Sequence, residues 1–190
     1  HKISSNAVGK KINDNLKNLL EKDINVLVFN FVDLISHART EIDLIRDLAN
    51  DEPAYRSLTH SWFVHSPLYE LLKQLSTRDV KVVISTDHGT LKANNPVKVT
   101  GDRNTSANLR YKLGRNLDYD PADVFAITEP EKAGLPKTNI SSKFIFARNY
   151  DYLVYPNNYN YYAGYYRNTF QHGGISMQEL LIPVATLEPR

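Results

Sequence analysis

Apolar residues recur at helical spacing between residues 6 and 22, where Val8, Ile12, Leu16, Leu19 and Leu20 share one face and Lys10, Lys11, Asn15 and Lys17 fall elsewhere. That pattern predicts an amphipathic helix packed on a sheet. Residues 24–32 are then almost continuously apolar and rich in Val and Phe, which predicts a strand covered on both faces. Helical spacing returns over about 38–50, with Ile42, Leu44, Ile45 and Leu48 inside, and again from Pro53 to about Leu75. The second of these segments breaks at Ser66-Pro67, where Ser66 can cap and Pro67 can occupy the first turn of a new helix. After it, Lys81-Val82-Val83-Ile84 opens a strand that runs to Thr86. Strand, helix, helix, strand is the crossover that builds a parallel sheet with right-handed connections.

The pattern loosens from 91 to 121, where Lys92, Lys98, Arg103, Arg110, Lys112 and Arg115 appear with few acids and little periodicity. Charged loop residues need no reason beyond solvation, while guanidinium forks and hydroxyls near a metal site could also hold phosphate. On the second view the segment is a basic, lid-like insertion with Arg103, Arg110 and Lys112 binding substrate. A short strand is predicted at Val124–Ile127, and three more in an antiparallel arrangement at 143–147, 152–155 and 165–170, between Asn-rich turns. The dense tyrosines from Tyr150 to Tyr166 fit strand packing with a hydrogen-bonding tip better than a base-stacking platform. Ser176 and Glu179 form a capping-box pair for a short helix, Pro183 stops it, and Val184–Leu187 gives a final strand.

Composition narrows the classes without choosing among them. The chain has 190 residues, 42% of them hydrophobic, enough for one domain or most of one. It has no run of about 18 apolar residues, so no membrane span is expected. The absence of cysteine removes disulfides and thiolate ligands and fits a cytoplasmic protein. A net charge of +2 is too small to argue for nucleic acid.

Chemistry gathers where the predicted strands end. The run to Val32 hands over to Asp33, with His37 four residues on, and the strand to Thr86 hands over to Asp87-His88-Gly89. Carboxylate and imidazole suit zinc or manganese, and ligands collect beyond the carboxyl ends of parallel strands. Gln171-His172-Gly173-Gly174 adds a further imidazole. An isolated His is more often a surface or hydrogen-bonded residue, and Asp-His-Gly is also an ordinary turn. His60 and His65, five apart and so not stacked on one helix face, read as structural or surface residues.

Three motifs occur in order: Phe31-Val32-Asp33-Leu34-Ile35-Ser36-His37, Ser85-Thr86-Asp87-His88-Gly89, and Gln171-His172-Gly173-Gly174-Ile175-Ser176-Met177-Gln178-Glu179-Leu180-Leu181-Ile182-Pro183. In that order they resemble the alkaline phosphatase superfamily, and within it the PglZ domain of PorX-type response regulators, over nearly the whole chain. The resemblance implies an α/β fold, a mainly parallel sheet sandwiched by helices, with a small antiparallel region near the C-terminus. It implies two zinc sites, manganese being left open by ligand type: Asp33, His37 and His172 would hold one metal, Asp87 and His88 the second. The family's Asp ligand and Thr or Ser nucleophile precede these motifs, and nothing before Asp33 matches them. Residues 1–190 therefore read as the C-terminal part of the domain, with that segment and a receiver domain upstream and no catalytic nucleophile assigned here.

The function implied is hydrolysis of phosphodiesters, such as oligonucleotides or cyclic nucleotides, by in-line displacement at a dinuclear zinc site. The setting implied is a cytoplasmic response regulator linked to type IX secretion, with a histidine kinase and other regulatory proteins as partners and a homodimer as an assembly. A non-catalytic, metal-stabilised interaction module and a phosphatase or phosphomutase of the same superfamily are the alternatives.

Overall fold

The computed structural model describes every residue except 43, 44, 46, 47, 49, 50 and 190; the side chains of residues 36, 37 and 39–41 also lie outside the description. The chain forms two compact units, residues 1–84 with 185–190, and residues 85–184.

In the first unit the amphipathic stretch is two helices, α1 (Asn6–Asp14) and α2 (Leu16–Leu20), parted at Asn15. Ser5 caps α1, its hydroxyl accepting the Val8 amide at 3.3 Å. The predicted apolar face is the one used: Leu16 and Leu19 are buried with Leu71, and Ile12, Leu20, Leu27 and Leu75 pack around them. Strand β1 (Lys2–Ile3) pairs in parallel with β2 (Val28–Phe29). The strand predicted over 24–32 shrinks to β2, and its upstream residues are not covered, Ile24 and Val26 being 83% and 66% exposed.

Helix α3 (Phe31–Glu41) starts where that strand was expected to continue. Phe31 and Ile35 lie one helical turn apart; the Phe31 ring stacks on Trp62 with centroids 4.3 Å apart, and Ile35 is buried. The Tyr55 hydroxyl donates to the Val32 carbonyl at 3.0 Å. Packing against the helix that carries Tyr55 and Trp62 overrides the β preference of the Val and Phe residues, a preference that depends strongly on context. The helix predicted over 38–50 is interrupted at Ile42, which has extended backbone and is exposed; Ile45 and Leu48 are helical again, Leu48 being exposed, and Leu44 lies outside the described residues. Helices α4 (Glu52–Val64) and α5 (Pro67–Leu75) follow, with the Ser66 hydroxyl accepting the Tyr69 amide at 3.2 Å and Pro67 in the first turn of α5. His60 and His65 are exposed. Strand β3 (Val82–Ser85) pairs with β11 (Val184–Leu187).

The second unit is built on strands. β4 (Leu91–Ala93) pairs antiparallel with β10 (Thr169–Gln171), and β5 (Asn95–Lys98) pairs in parallel with β9 (Asp151–Val154). β6 (Tyr111–Gly114), β8 (Lys143–Ala147) and β7 (Val124–Ile127) form an antiparallel sheet with β8 in the middle. Val97, Val99, Leu117, Val124, Ile145, Ala147 and Leu153 make one core; Leu91, Ala93, Tyr152 and Val154 make another. Among the described residues the ladders of this unit are mostly antiparallel, where a mainly parallel sheet was expected. The stretch 91–121 is not a bare solvated loop, for it carries three strands and five of these core residues.

The tyrosine-rich segment is helical where turns were predicted between the second and third strands, and the third strand, predicted over 165–170, forms only at Thr169–Gln171. Residues Tyr159–Tyr165 form helix α6, framed by Asn158 and Asn168 at positive φ (54° and 61°), a region Asn tolerates better than most residues. On the helix Tyr161 stacks with Tyr165 and Tyr162 with Tyr166, at 5.9 and 6.0 Å between centroids. Period-two alternation and a four-residue repeat are hard to tell apart where five of the eight residues from 159 to 166 are Tyr. The short helix α7 (Met177–Leu180) keeps its predicted capping box, Ser176 with Glu179.

Candidate metal centre

The antiparallel ladder β4·β10 pairs Leu91 with Gln171 at one end. In an antiparallel pair the chain entering one strand and the chain leaving the other emerge together, so His88, three residues before Leu91, comes beside His172, one residue after Gln171. Their rings stack at 3.8 Å with 7° between planes, and a ring nitrogen of each lies within 4.8 Å of the other's. This meeting point is the end of an antiparallel ladder, not the crevice beyond a parallel sheet.

Backbone contacts fix the loop of His88. Its Nδ1 lies 2.9 Å from the Gly89 carbonyl; a carbonyl only accepts, so the proton sits on Nδ1 and the lone pair on Nε2, the tautomer a metal ligand needs. The Thr86 hydroxyl donates to the His88 carbonyl at 3.1 Å, and the Thr90 hydroxyl to the Gln171 carbonyl at 3.0 Å. The Gly89 amide donates to the Glu179 carbonyl at 2.8 Å, an approach so close that a Cβ at position 89 would lie 1.9 Å from the Gln178 carbonyl oxygen. On the other side, the Asn108 side-chain amide donates to the His172 carbonyl at 3.3 Å.

Two half-buried imidazoles, one with a defined acceptor nitrogen, are a donor set that fits a divalent transition metal. Asp87 adds a carboxylate that is 89% exposed, with one oxygen 3.8 Å from His88 Nε2. Asp33 and His37 belong to the first unit: both positions fall in α3, one turn apart, so the expected i, i+4 spacing is realised in a helix. Asp33 is half-buried, and the His37 side chain lies outside the described residues.

The family model described as the BREX system PglZ alkaline phosphatase-like domain matches residues 2–187. The chain belongs to the PglZ family. Among curated proteins none matches it. Membership places the PglZ domain in a phosphoesterase-type superfamily with an alkaline phosphatase-like, α/β fold, and none of its helices among the described residues is long and apolar enough to cross a membrane.

Of the three basic residues expected to bind substrate, the PglZ domain exposes only Arg103. Arg110 is fully buried and its guanidinium is taken up inside the protein: Nε and Nη2 donate to the two Glu179 carboxylate oxygens at 2.9 and 3.0 Å, Nη2 also to the Asn149 carbonyl, and Nη1 to the Asp151 carbonyl. Lys112 is 1% exposed; its Nζ donates to the Ala107 carbonyl at 3.2 Å and lies 4.3 Å from the centre of the Tyr155 ring. Both cations serve the interior, which corrects the substrate-binding role expected of them. Burial alone would raise the Glu179 pKa; bonds from Arg110 and Ser176, the charge of Arg110 and the Gly174 amide outweigh it, and the carboxyl is held below its usual range. Glu179 was visible in sequence as a capping residue only, because its ionic partner is 69 residues away.

Proposed function

We propose that this PglZ domain is a metal-dependent phosphoesterase acting on phosphodiesters of the nucleotide type at a dinuclear zinc centre. The observation that carries the reading is the stacked pair His88 and His172, brought together across 84 residues of chain with ring nitrogens within 4.8 Å. The motif likeness assigns Asp33, His37 and His172 to one cation and Asp87 with His88 to the other, and that assignment is part of the proposal. When bound, two such cations draw charge from the attacking and leaving oxygens of an in-line displacement. The chain's own contribution is positional. The Gly89 carbonyl holds the His88 ring in one tautomer, the Asn108 amide holds the His172 backbone, and exposed Arg103 offers a planar fork to a phosphoryl group. A cytoplasmic response regulator connected with type IX secretion is the setting the PorX-like motif order suggests.

The test is calorimetric titration of the wild type, His88→Ala and His172→Ala with zinc and with manganese, beside hydrolysis of a bis-aryl phosphodiester and an aryl monoester by the full-length protein. Binding that weakens by at least about tenfold in each variant, with faster turnover of the diester, is expected. A wild type that takes up neither metal overturns the reading, and faster turnover of the monoester replaces the diester with a phosphatase substrate.

A further inference from the structure

We infer that the buried Arg110–Glu179 pair is a positioning device for the two imidazoles, an inference that rests on reading His88 and His172 as ligands. Glu179 reaches both histidine loops at once. Its side chain holds the segment after His172: Oε1 accepts the Gly174 amide at 2.9 Å, and Oε2 accepts the Ser176 amide and hydroxyl at 3.2 and 2.7 Å. Its backbone carbonyl accepts the amide of Gly89, next to His88. Arg110 locks the carboxylate in place through a two-point fork, and its remaining bonds to the Asn149 and Asp151 carbonyls tie the fork to the start of β9. Asn108, whose side chain accepts the Arg110 amide at 2.7 Å, donates to His172 from the other side.

Contact between this pair and the loop is direct. A Cβ at Gly174 would lie 2.6 Å from Glu179 Oε2 and 3.0 Å from Arg110 Nε, so the loop backbone rests on the ion pair itself. A buried ion pair is weak evidence for stability, since apolar replacements often fold as well. Fixed direction is what a fork and a carboxylate supply and apolar packing does not. Here five hydrogen bonds on one carboxylate and one on its own backbone carbonyl define where residues 174, 176 and 89 sit, and through them the two rings.

Glu179→Gln tests this with little change of shape, because it turns one oxygen into a donor facing the donors of Ser176 and Arg110. Folding is checked by thermal unfolding, and ring placement is read in metal-free protein from the nuclear Overhauser effect between His88 and His172 ring protons. Zinc affinity is read separately by calorimetry. A folded Glu179→Gln variant that loses the ring-to-ring signal and binds zinc at least about tenfold more weakly is the expected result. A folded variant with the wild-type ring signal overturns the inference. If wild-type protein binds no zinc, the metal reading fails by itself, and the ring signal still decides the positioning role. Should Glu179→Gln not fold, Arg110→Lys, which keeps the charge and loses the fork, is read in the same way; if neither folds, the pair is an element of stability and the positioning role falls.

Discussion

Replacing Lys112 by Met removes a charge that the second unit holds at a cost, and the size of that cost follows from its surroundings. The ammonium is 1% exposed, has one carbonyl and one aromatic face beside it, and burial pushes its pKa from 10.5 down to about 8. A lysine with a depressed folded pKa binds its proton more tightly in the unfolded chain, so stability rises with pH between the two values and is least below the folded one. At about 1.4 kcal/mol per pH unit, holding the charge costs about 3 kcal/mol at pH 7 and about 2 kcal/mol at pH 9. Wild-type protein should therefore gain about 1 kcal/mol relative to Lys112→Met between pH 7 and pH 9. Urea unfolding followed by circular dichroism at both pH values measures this, and comparison with the variant cancels every other titrating group. Equal pH dependence of the two proteins would refute the reasoning, and would mean that the ammonium reaches water through motions the static burial does not show. Diester turnover per folded molecule in Lys112→Met is a second reading, expected to match wild type because the side chain faces the interior.

Two further outcomes concern the site. Gly89→Ala forces a Cβ against the Gln178 carbonyl, so the His88 loop must part from residues 178–179; a loss of about 1–3 kcal/mol with weakened zinc binding is expected, and an unchanged melting temperature would show that the loops are not docked. Arg103→Ala should raise KM for esters with melting temperature unchanged, and wild-type kinetics would return Arg103 to the status of a solvated loop residue.

The motif order along the chain was enough to reach the family, and the caps at Ser66 and Ser176 were legible because they are written within four residues. What the sequence could not disclose is long-range pairing. His88 and His172 meet because β4 and β10 pair antiparallel, a fact with no local signature. Arg110 and Lys112 looked like an exposed basic stretch because a buried cation is recognisable only beside its partners, Glu179 and Tyr155, which lie 69 and 43 residues further on. The early start of α3 was hidden by a run of Val and Phe whose β preference yields to Trp62 once the helix packs.

The segment between β7 and β8 reaches the surface at Ile140, which is 95% exposed, and exposed loop tips are where proteases nick a folded chain. Every strand of the second unit beyond that point is bonded to a strand before it: β8 to β6 and β7, β9 to β5, β10 to β4. Within this unit a single cut there would leave two pieces interlocked through those four ladders, with no strand pair among the described residues confined to the C-terminal piece. His88 would sit on one piece and His172 on the other, which makes the imidazole pair a natural reporter for fragment complementation: the halves can restore it only by reassembling.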